Sequence, residues 1–462
     1  MKHKKKFNGK QFVIKTATVG LLLNMLINPA IHAWAEAGQA TTQSVQAGTT
    51  AEVTQKTVKI PSVESLGLNL KSAVLMEPTT GEILLSLNAD EALPPASMTK
   101  MMTEYLVAEA VKNGQLSWDQ NVIVSENAAK QVGSRIFLAE GDEHTVEELY
   151  TAMAVGSAND ATVALAELVS GSEQEFVNLM NQTAQKMGMK TAYFINSTGL
   201  DKADMPKKYQ PDTDKENVMS AMDAAILAKY IVNDHPDFNR FTSIQSYQFR
   251  ERDTAPMINY NWMLEANKSI TNFKAYAYEG LDGLKTGHTS RARYCFTGTA
   301  ERDGMRLISV VMGADTEPHR FTETKKVLDF GFNNFEIKQV VAPKSVVTGS
   351  ETVPVLKGKN KEVSVVTDEA VSFIVPKGTS NPEITTTVQT NDPATLVAPI
   401  EQSAKVGKVT YTYKIEGMPE AQEKTVNLIT TEAAEKAGWF KLFLRAIGDF
   451  FGDIFSGIKD LF

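Results

Sequence analysis

The sequence predicts a mixed α/β (α+β) protein: an antiparallel sheet flanked by helices with a helical subdomain, then a small all-β domain and a terminal amphipathic helix. Three observations carry this. Strand-like runs stand at both ends of a mainly helical stretch between residues 63 and 335. After Phe335 the chain turns to short alternating runs rich in Val and Thr, and from Gly438 apolar residues return at helical spacing.

Taken in order, residues 1–35 read as a secretory signal peptide. Six lysines (Lys2, Lys4, Lys5, Lys6, Lys10, Lys15) precede the mostly apolar Thr16 to Ile31, and small-x-small sites at Ala33-Trp34-Ala35 and Ala35-Glu36-Ala37 allow cleavage after Ala35 or Ala37. Residues 36–62, rich in Ala, Thr, Gln and Gly without an apolar period, read as a linker. Ser72 to Met76 and Ile83 to Leu87 are strands joined by the turn-rich Glu77 to Glu82, and a helix follows from Ser97.

From Asp119 to Leu200 the pattern is mostly helical, with helices at Val146 to Val155 (stopped by Gly156), Ala161 to Val169 and Glu173 to Met187. Residues 201–216, charged and holding Pro206 and Pro211, make a surface loop; Met219 to Val232 resumes as helix. Arg293 to Ala300 and Met305 to Met312 are the arms of a hairpin, and Glu323 to Phe330 is a closing helix. The expected domains are therefore 63–335, 336–430 (β-rich) and 431–462, where Phe440, Phe443, Leu444, Ile447, Phe450 and Phe451 line one side. Lys441, Arg445, Asp449 and Asp453 take the other, a pattern suited to lying on a membrane surface.

Composition narrows the function classes. The 462 residues carry a formal charge of −8, and loss of the lysine-rich start leaves the body more acidic still, which excludes nucleic acid as a natural partner. One cysteine, Cys295, rules out an internal disulfide.

Three short motifs carry the chemistry. In Ser97-Met98-Thr99-Lys100 a hydroxyl and an amine lie on one helix face near its N-terminus, where negative charge is stabilised. An ammonium taken out of water loses affinity for its proton, so a desolvated Lys100 can accept the Ser97 proton. Ser157-Ala158-Asn159 follows a helix end, where side chains project from a short loop. Lys285-Thr286-Gly287 lies on a strand, and its glycine would admit close approach of a substrate backbone. Singly, each has a plainer reading: Ser97 or Asn159 as helix caps, Lys100 or Lys285 as solvated amines, Arg320 as a surface charge.

With Lys285-Thr286-Gly287-His288-Thr289, the hairpin after it, and Gly313-Ala314-Asp315-Thr316 leading to His319-Arg320, the chain resembles the exported low-molecular-mass penicillin-binding proteins that act as serine D-alanyl-D-alanine carboxypeptidases. The likeness runs from about Val63 to Phe335 and continues in a β domain plus C-terminal amphipathic anchor. It implies a β-lactamase/transpeptidase-like domain with Ser97 as nucleophile and Lys100 as its base. Ser157 and Lys285 would relay a proton, and Asn159 would hold the substrate amide. The backbone N–H groups of Ser97 and His288 would form the oxyanion hole, and Thr286 with Arg320 would bind the terminal carboxylate.

The implied substrate is a peptidoglycan stem peptide ending in D-Ala-D-Ala, with β-lactams as inhibitors and no metal or cofactor. The implied location is the outer face of the bacterial cytoplasmic membrane. Two departures stand out: the 201–216 loop is long and charged, and no acidic loop of the class A β-lactamase kind is evident. A β-lactamase or esterase of the same fold, and a non-catalytic wall-binding scaffold, are the competing readings.

Overall fold

The computed structural model describes residues 41–43, 60–418 and 420–448. The expected signal peptide, most of the expected linker and residues 449–462 of the expected terminal helix lie outside the described residues.

Five strands form the first sheet: β1 (Ser72–Met76), β2 (Ile83–Leu87), β3 (Leu281–Thr289), β4 (Arg293–Arg302) and β5 (Met305–Ala314). Their order is β2-β1-β5-β4-β3, antiparallel throughout, so the two ends of the module meet where Val74 faces Val310. The β4–β5 turn is the two-residue Asp303-Gly304, both with positive φ (50° and 75°), the twist that a tight hairpin requires.

β5 reads as a continuous apolar run because both faces of the sheet are covered. Leu307 and Val311 join a core with Phe296, Phe321 and Val327 on one side. Ile308, Val310 and Met312 join Met98, Met101, Leu227 and Ile231 on the other. Helix α6 (Glu317–Asn334) covers the first face, and α5 (Ala221–Asp234) the second together with α1 (Lys100–Lys112). Nearly every residue of α1 from Lys100 to Ala108 is buried, so this helix is central to the module.

The helical subdomain is built from α2 (Val146–Gly156), α3 (Asn159–Ser170) and α4 (Glu173–Met187). The stretch before α2 is less helical than its sequence suggests. Asn121–Ile123 and Glu143–Thr145 pair as short strands, and Gly133 and Gly141 turn the chain between them at φ +77° and +84°. The closing helix is longer than expected, since Thr316 caps it by accepting from the His319 N–H and Pro318 sits in its first turn. Its charged first turns hide the apolar period.

α6 runs directly into the β domain. β6 (Phe335–Val341) pairs with β9 (Val371–Pro376). The second sheet has β7 (Thr352–Pro354), β8 (Glu362–Thr367), β10 (Ile384–Thr390), β11 (Lys405–Tyr413) and β12 (Gln422–Thr430) in the order β10-β11-β12-β8-β7. Thr41–Gln43, expected within a linker, lies antiparallel to β10 at the open edge of this sheet.

Residues 434 and 436 bridge back to Ile400 and Gly358, so the chain leaves the β domain near Gly438 rather than at residue 430. Residues 439–448 are helical, with Trp439, Phe440, Phe443 and Leu444 all more than half exposed, while Arg445 donates to the carbonyls of Gly358 and Lys359 at 2.7 Å each. No helix among the described residues is long and apolar enough to cross a membrane.

Leu307 is fully buried between sheet and α6. Leu307→Ala is expected to cost about 2–5 kcal/mol of stability, read as a lower denaturant midpoint with little change in the cooperativity of unfolding.

Candidate active site

Ser97 lies in a 3-10 turn, Ala96–Thr99, that feeds straight into α1. The turn keeps residues three apart on one side, so the Lys100 amine stands 3.1 Å from the Ser97 hydroxyl oxygen. Ser97 is half-buried, whereas Lys100 is fully buried. The amine has one other protein partner, the Thr198 carbonyl, at 2.8 Å.

An ammonium has three N–H donors to satisfy; a neutral amine bonded to one carbonyl still has a lone pair for the serine proton. Burial lowers the Lys100 pKa well below its ordinary value, and the nearby Lys285 charge lowers it further, against the smaller pull of Glu104 and Asp160.

Ser157 ends α2 in the left-handed conformation (φ 54°, ψ 33°), and Ala158 stands at the N-terminal boundary of α3 without a side-chain cap. The Ser157 Oγ is buried and has no hydrogen-bond partner among the described residues. A non-glycine residue held in this region is strained, and strain of this kind gathers at functional sites. Asn159, expected in a loop, is instead the first residue of α3. Its amide nitrogen donates to the Val132 carbonyl at 2.6 Å, which leaves Oδ1 buried and unpartnered, an acceptor without a donor.

β3 is the edge strand, and it packs against the Ala96–Thr99 turn. Strand alternation puts Lys285 and Gly287 on one face and Thr286 and His288 on the other. Lys285 is buried, and its amine finds a single weak acceptor, the Thr286 carbonyl at 3.4 Å. Burial lowers its pKa, Glu104 opposes that shift, and Arg320 adds to it.

Gly287 has a different reason from the one expected. A Cβ there would lie 2.6 Å from the Pro95 carbonyl and 3.2 Å from Met98, so the missing side chain admits the turn that carries Ser97. His288 is exposed and stacks on Tyr294 at 4.3 Å between ring centroids. Arg320, buried on α6, donates to the Gly287 carbonyl at 3.5 Å and to Glu317 at 2.7 Å, and its Nε has no partner.

Sequence reasoning passed over several residues that hold this arrangement. Asn196 accepts from the backbone N–H groups of Thr198 and Gly199, and so aims the Thr198 carbonyl at Lys100. Asp160 accepts from the backbone N–H groups of Ile136 and Leu138, and fixes the loop that carries Val132 to Asn159. Glu104, one helical turn beyond Lys100, is buried with its Oε1 unpartnered. The position of Asp160 beside the Ser157 motif, and a carboxylate at i+4 from Lys100 in an apolar run, were the available signals. Among the described residues, no group of His, Cys, Asp and Glu could hold a metal ion.

The sequence and structure match known proteins over most of the chain. A family model described as D-alanyl-D-alanine carboxypeptidase matches residues 55–316, and one for the C-terminal domain of penicillin-binding protein 5 matches residues 335–436. The chain is 36% identical over 379 residues to D-alanyl-D-alanine carboxypeptidase DacF of Bacillus subtilis (strain 168), covering 82% of this chain and 89% of that protein. Among solved structures, it resembles a peptidoglycan synthesis regulatory factor (PBP3) from Streptococcus pneumoniae, with a TM-score of 0.68 and 31% identity over 80% of this chain and 100% of the other. Penicillin binding protein 5 from Haemophilus influenzae follows, with a TM-score of 0.62 and 30% identity over 80% of this chain and 98% of the other.

A Cβ on Gly199 would lie 1.9 Å from the Ala96 carbonyl oxygen, at a φ of +84°. Gly199→Ala is therefore expected to destabilise the protein by at least about 1–3 kcal/mol, seen as a lower melting temperature.

Proposed function

The chain belongs to the D-alanyl-D-alanine carboxypeptidase family, and from that premise we propose that Ser97 is its nucleophile, in a two-step acyl transfer that removes the terminal D-alanine from peptidoglycan stem peptides. The observation that carries this is the 3.1 Å approach of a fully buried Lys100 amine to the Ser97 hydroxyl.

In the first step Lys100 takes the Ser97 proton as Oγ attacks the carbonyl carbon of the penultimate D-Ala. The resulting oxyanion is held by the backbone N–H groups of Ser97 and His288. As the C–N bond breaks, the leaving D-Ala nitrogen receives a proton relayed through Ser157 and the Lys285 side. Water then attacks the acyl-enzyme, its proton passing back to the site, and the shortened peptide leaves with Ser97 restored.

The free Oδ1 of Asn159 suits a substrate amide N–H, and the unpartnered Ser157 Oγ suits a relay. Thr286 and Arg320 would receive the terminal carboxylate, which a guanidinium recognises well. A β-lactam mimics the scissile amide and acylates the same serine. No metal is needed in this scheme, because the oxyanion is stabilised by oriented N–H groups.

The protein would be exported, with residues 1–35 as its signal, and would lie on the outer face of the cytoplasmic membrane through its C-terminal helix. Support for the last point is that Trp439, Phe440, Phe443 and Leu444 face solvent while Arg445 ties the helix to the β domain. An apolar face left open at a chain end suits a lipid surface.

Two experiments test these assignments. Mass spectrometry after treatment with a fluorescent penicillin should map one adduct to the peptide containing Ser97, and Ser97→Ala should lose both the adduct and D-Ala release. An adduct on another residue, or full activity in the variant, would remove Ser97 from its role. Deleting residues 437–462 should move the exported protein from the membrane fraction to the soluble one; continued retention would refute the anchor.

A further inference from the structure

The two walls beside Ser97 are tied to each other at their rim. On one side β3 carries Lys285 to Thr289 past the Ala96–Thr99 turn and ends in the hairpin tip at Ser290 and Arg291. On the other, Thr198 gives its carbonyl to Lys100, and three residues later the 201–216 loop begins. The Arg291 guanidinium stands 3.3 Å from the carboxylate of Asp201 and 3.2 Å from that of Glu216, the first and last residues of that loop.

The contacts around this triad are those of a built clasp. The Leu200 carbonyl accepts from the side-chain amides of Asn196 and Asn217 at 2.8 and 2.9 Å, and Glu216 accepts from the Lys202 N–H at 2.9 Å, so the two ends of the loop are held together. The Thr289 hydroxyl bonds to Asp201 as well, while accepting from the Ala292 N–H at 3.1 Å. Three of the loop's own lysines are engaged elsewhere: Lys202 with the Thr213 carbonyl, Lys208 with Glu126, and Lys215 over the Tyr193 ring at 4.2 Å. The carboxylate side chains are only 12% and 27% exposed, and the cation that meets both comes from the opposite wall. A guanidinium fork can hold two carboxylates at once, which a lysine ammonium does less well.

The place of the clasp along β3 gives it a role. In the function proposed above, Thr286 and Arg320 take the terminal carboxylate and the His288 N–H holds the scissile carbonyl oxygen. Going from residue 286 to residue 288 therefore goes from the leaving D-Ala to the acyl group, and the clasp lies three residues further on the same side. We propose that Arg291 is a specificity-determining residue: its clasp with Asp201 and Glu216 forms the wall that seats the part of the stem peptide preceding the penultimate D-Ala. This rests on the Ser97, Thr286 and His288 roles proposed above and adds to them a subsite for the acyl side of the substrate.

Without the guanidinium, two close carboxylates repel and the hairpin tip is released from the loop. A ligand that extends beyond the scissile carbonyl then loses its wall, whereas one that ends there has little to lose.

The test compares two β-lactams on the intact protein. One is a penicillin with a neutral fluorophore on its acyl side chain; the other is 6-aminopenicillanic acid, the bare nucleus, measured by its delay of labelling. Both carry the same ring carboxylate, so effects on its recognition cancel in the ratio of their acylation rate constants. Arg291→Ala is expected to lower the ratio of extended to bare ligand about fivefold, the scale of a partly exposed ion pair. Arg291→Lys should give an intermediate ratio, and melting curves should show each variant folded. Raising the salt concentration should lower the wild-type ratio towards that of Arg291→Ala and leave the variant's own ratio in place, since screening acts on the clasp. A ratio unchanged or raised in Arg291→Ala would overturn the assignment and leave the clasp a surface ion pair. Should that variant not fold, Glu216→Gln decides: a lowered ratio supports the proposal and an unmoved one overturns it. Wild-type protein that takes no label overturns the Ser97 reading and this one with it; labelled wild type with ratios that do not differ from the variants' overturns this one alone.

Discussion

An amine held out of water beside a hydroxyl is the constraint on which the rest of the structure depends. Ammonium ions are strongly hydrated, and a buried one is stable only with close anionic or carbonyl partners. Lys100 has one carbonyl and the Ser97 oxygen within reach. Burial therefore weakens its hold on the proton, and the surroundings are arranged to keep that burial complete. α1 is wrapped on nearly all sides, so that its first residue has no route to solvent. The Asn196 side chain pins the Thr198 carbonyl, and Gly287 lets the edge strand close over the turn.

The two faces of the first sheet divide the labour. One supports α6 and continues into the β domain, so that the site and the C-terminal half share a core through Phe321, Phe335 and Phe373. The other carries α1 and α5 and presents the Ser97 turn to β3. Strand alternation then aims Lys285 towards Lys100, and Thr286 with His288 towards the Arg320 side. A small number of rigid elements thus fixes the site, which suits chemistry that depends on sub-ångström placement.

Much of this was legible in the chain. The S-x-x-K spacing is local, and the helical turn that joins its members follows from sequence alone. The hairpin was legible from Asp303-Gly304 between apolar runs, and the strands from their uninterrupted Val, Ile and Leu. What could not be read depended on contacts between distant segments. Gly287 had a functional explanation in sequence, yet its neighbour is Pro95, nearly two hundred residues earlier. Glu104 was passed over because nothing local says that α1 is buried from Lys100 to Ala108. The short strands before α2 were missed for a related reason: three residues bounded by glycines carry too little pattern to separate from a frayed helix.

The close fit at Gly287 has a consequence for how such a site can change over time. With the Pro95 carbonyl filling the space a side chain would need, any other residue at that position would have to displace the backbone that leads into the Ser97 turn. Diversification along this wall is left to the exposed His288 and to the hairpin tip at Ser290 and Arg291, where Arg291 already reaches across to Asp201 and Glu216. Change along this wall is therefore easiest at its exposed rim, while the strand beside Ser97 is held by its own packing.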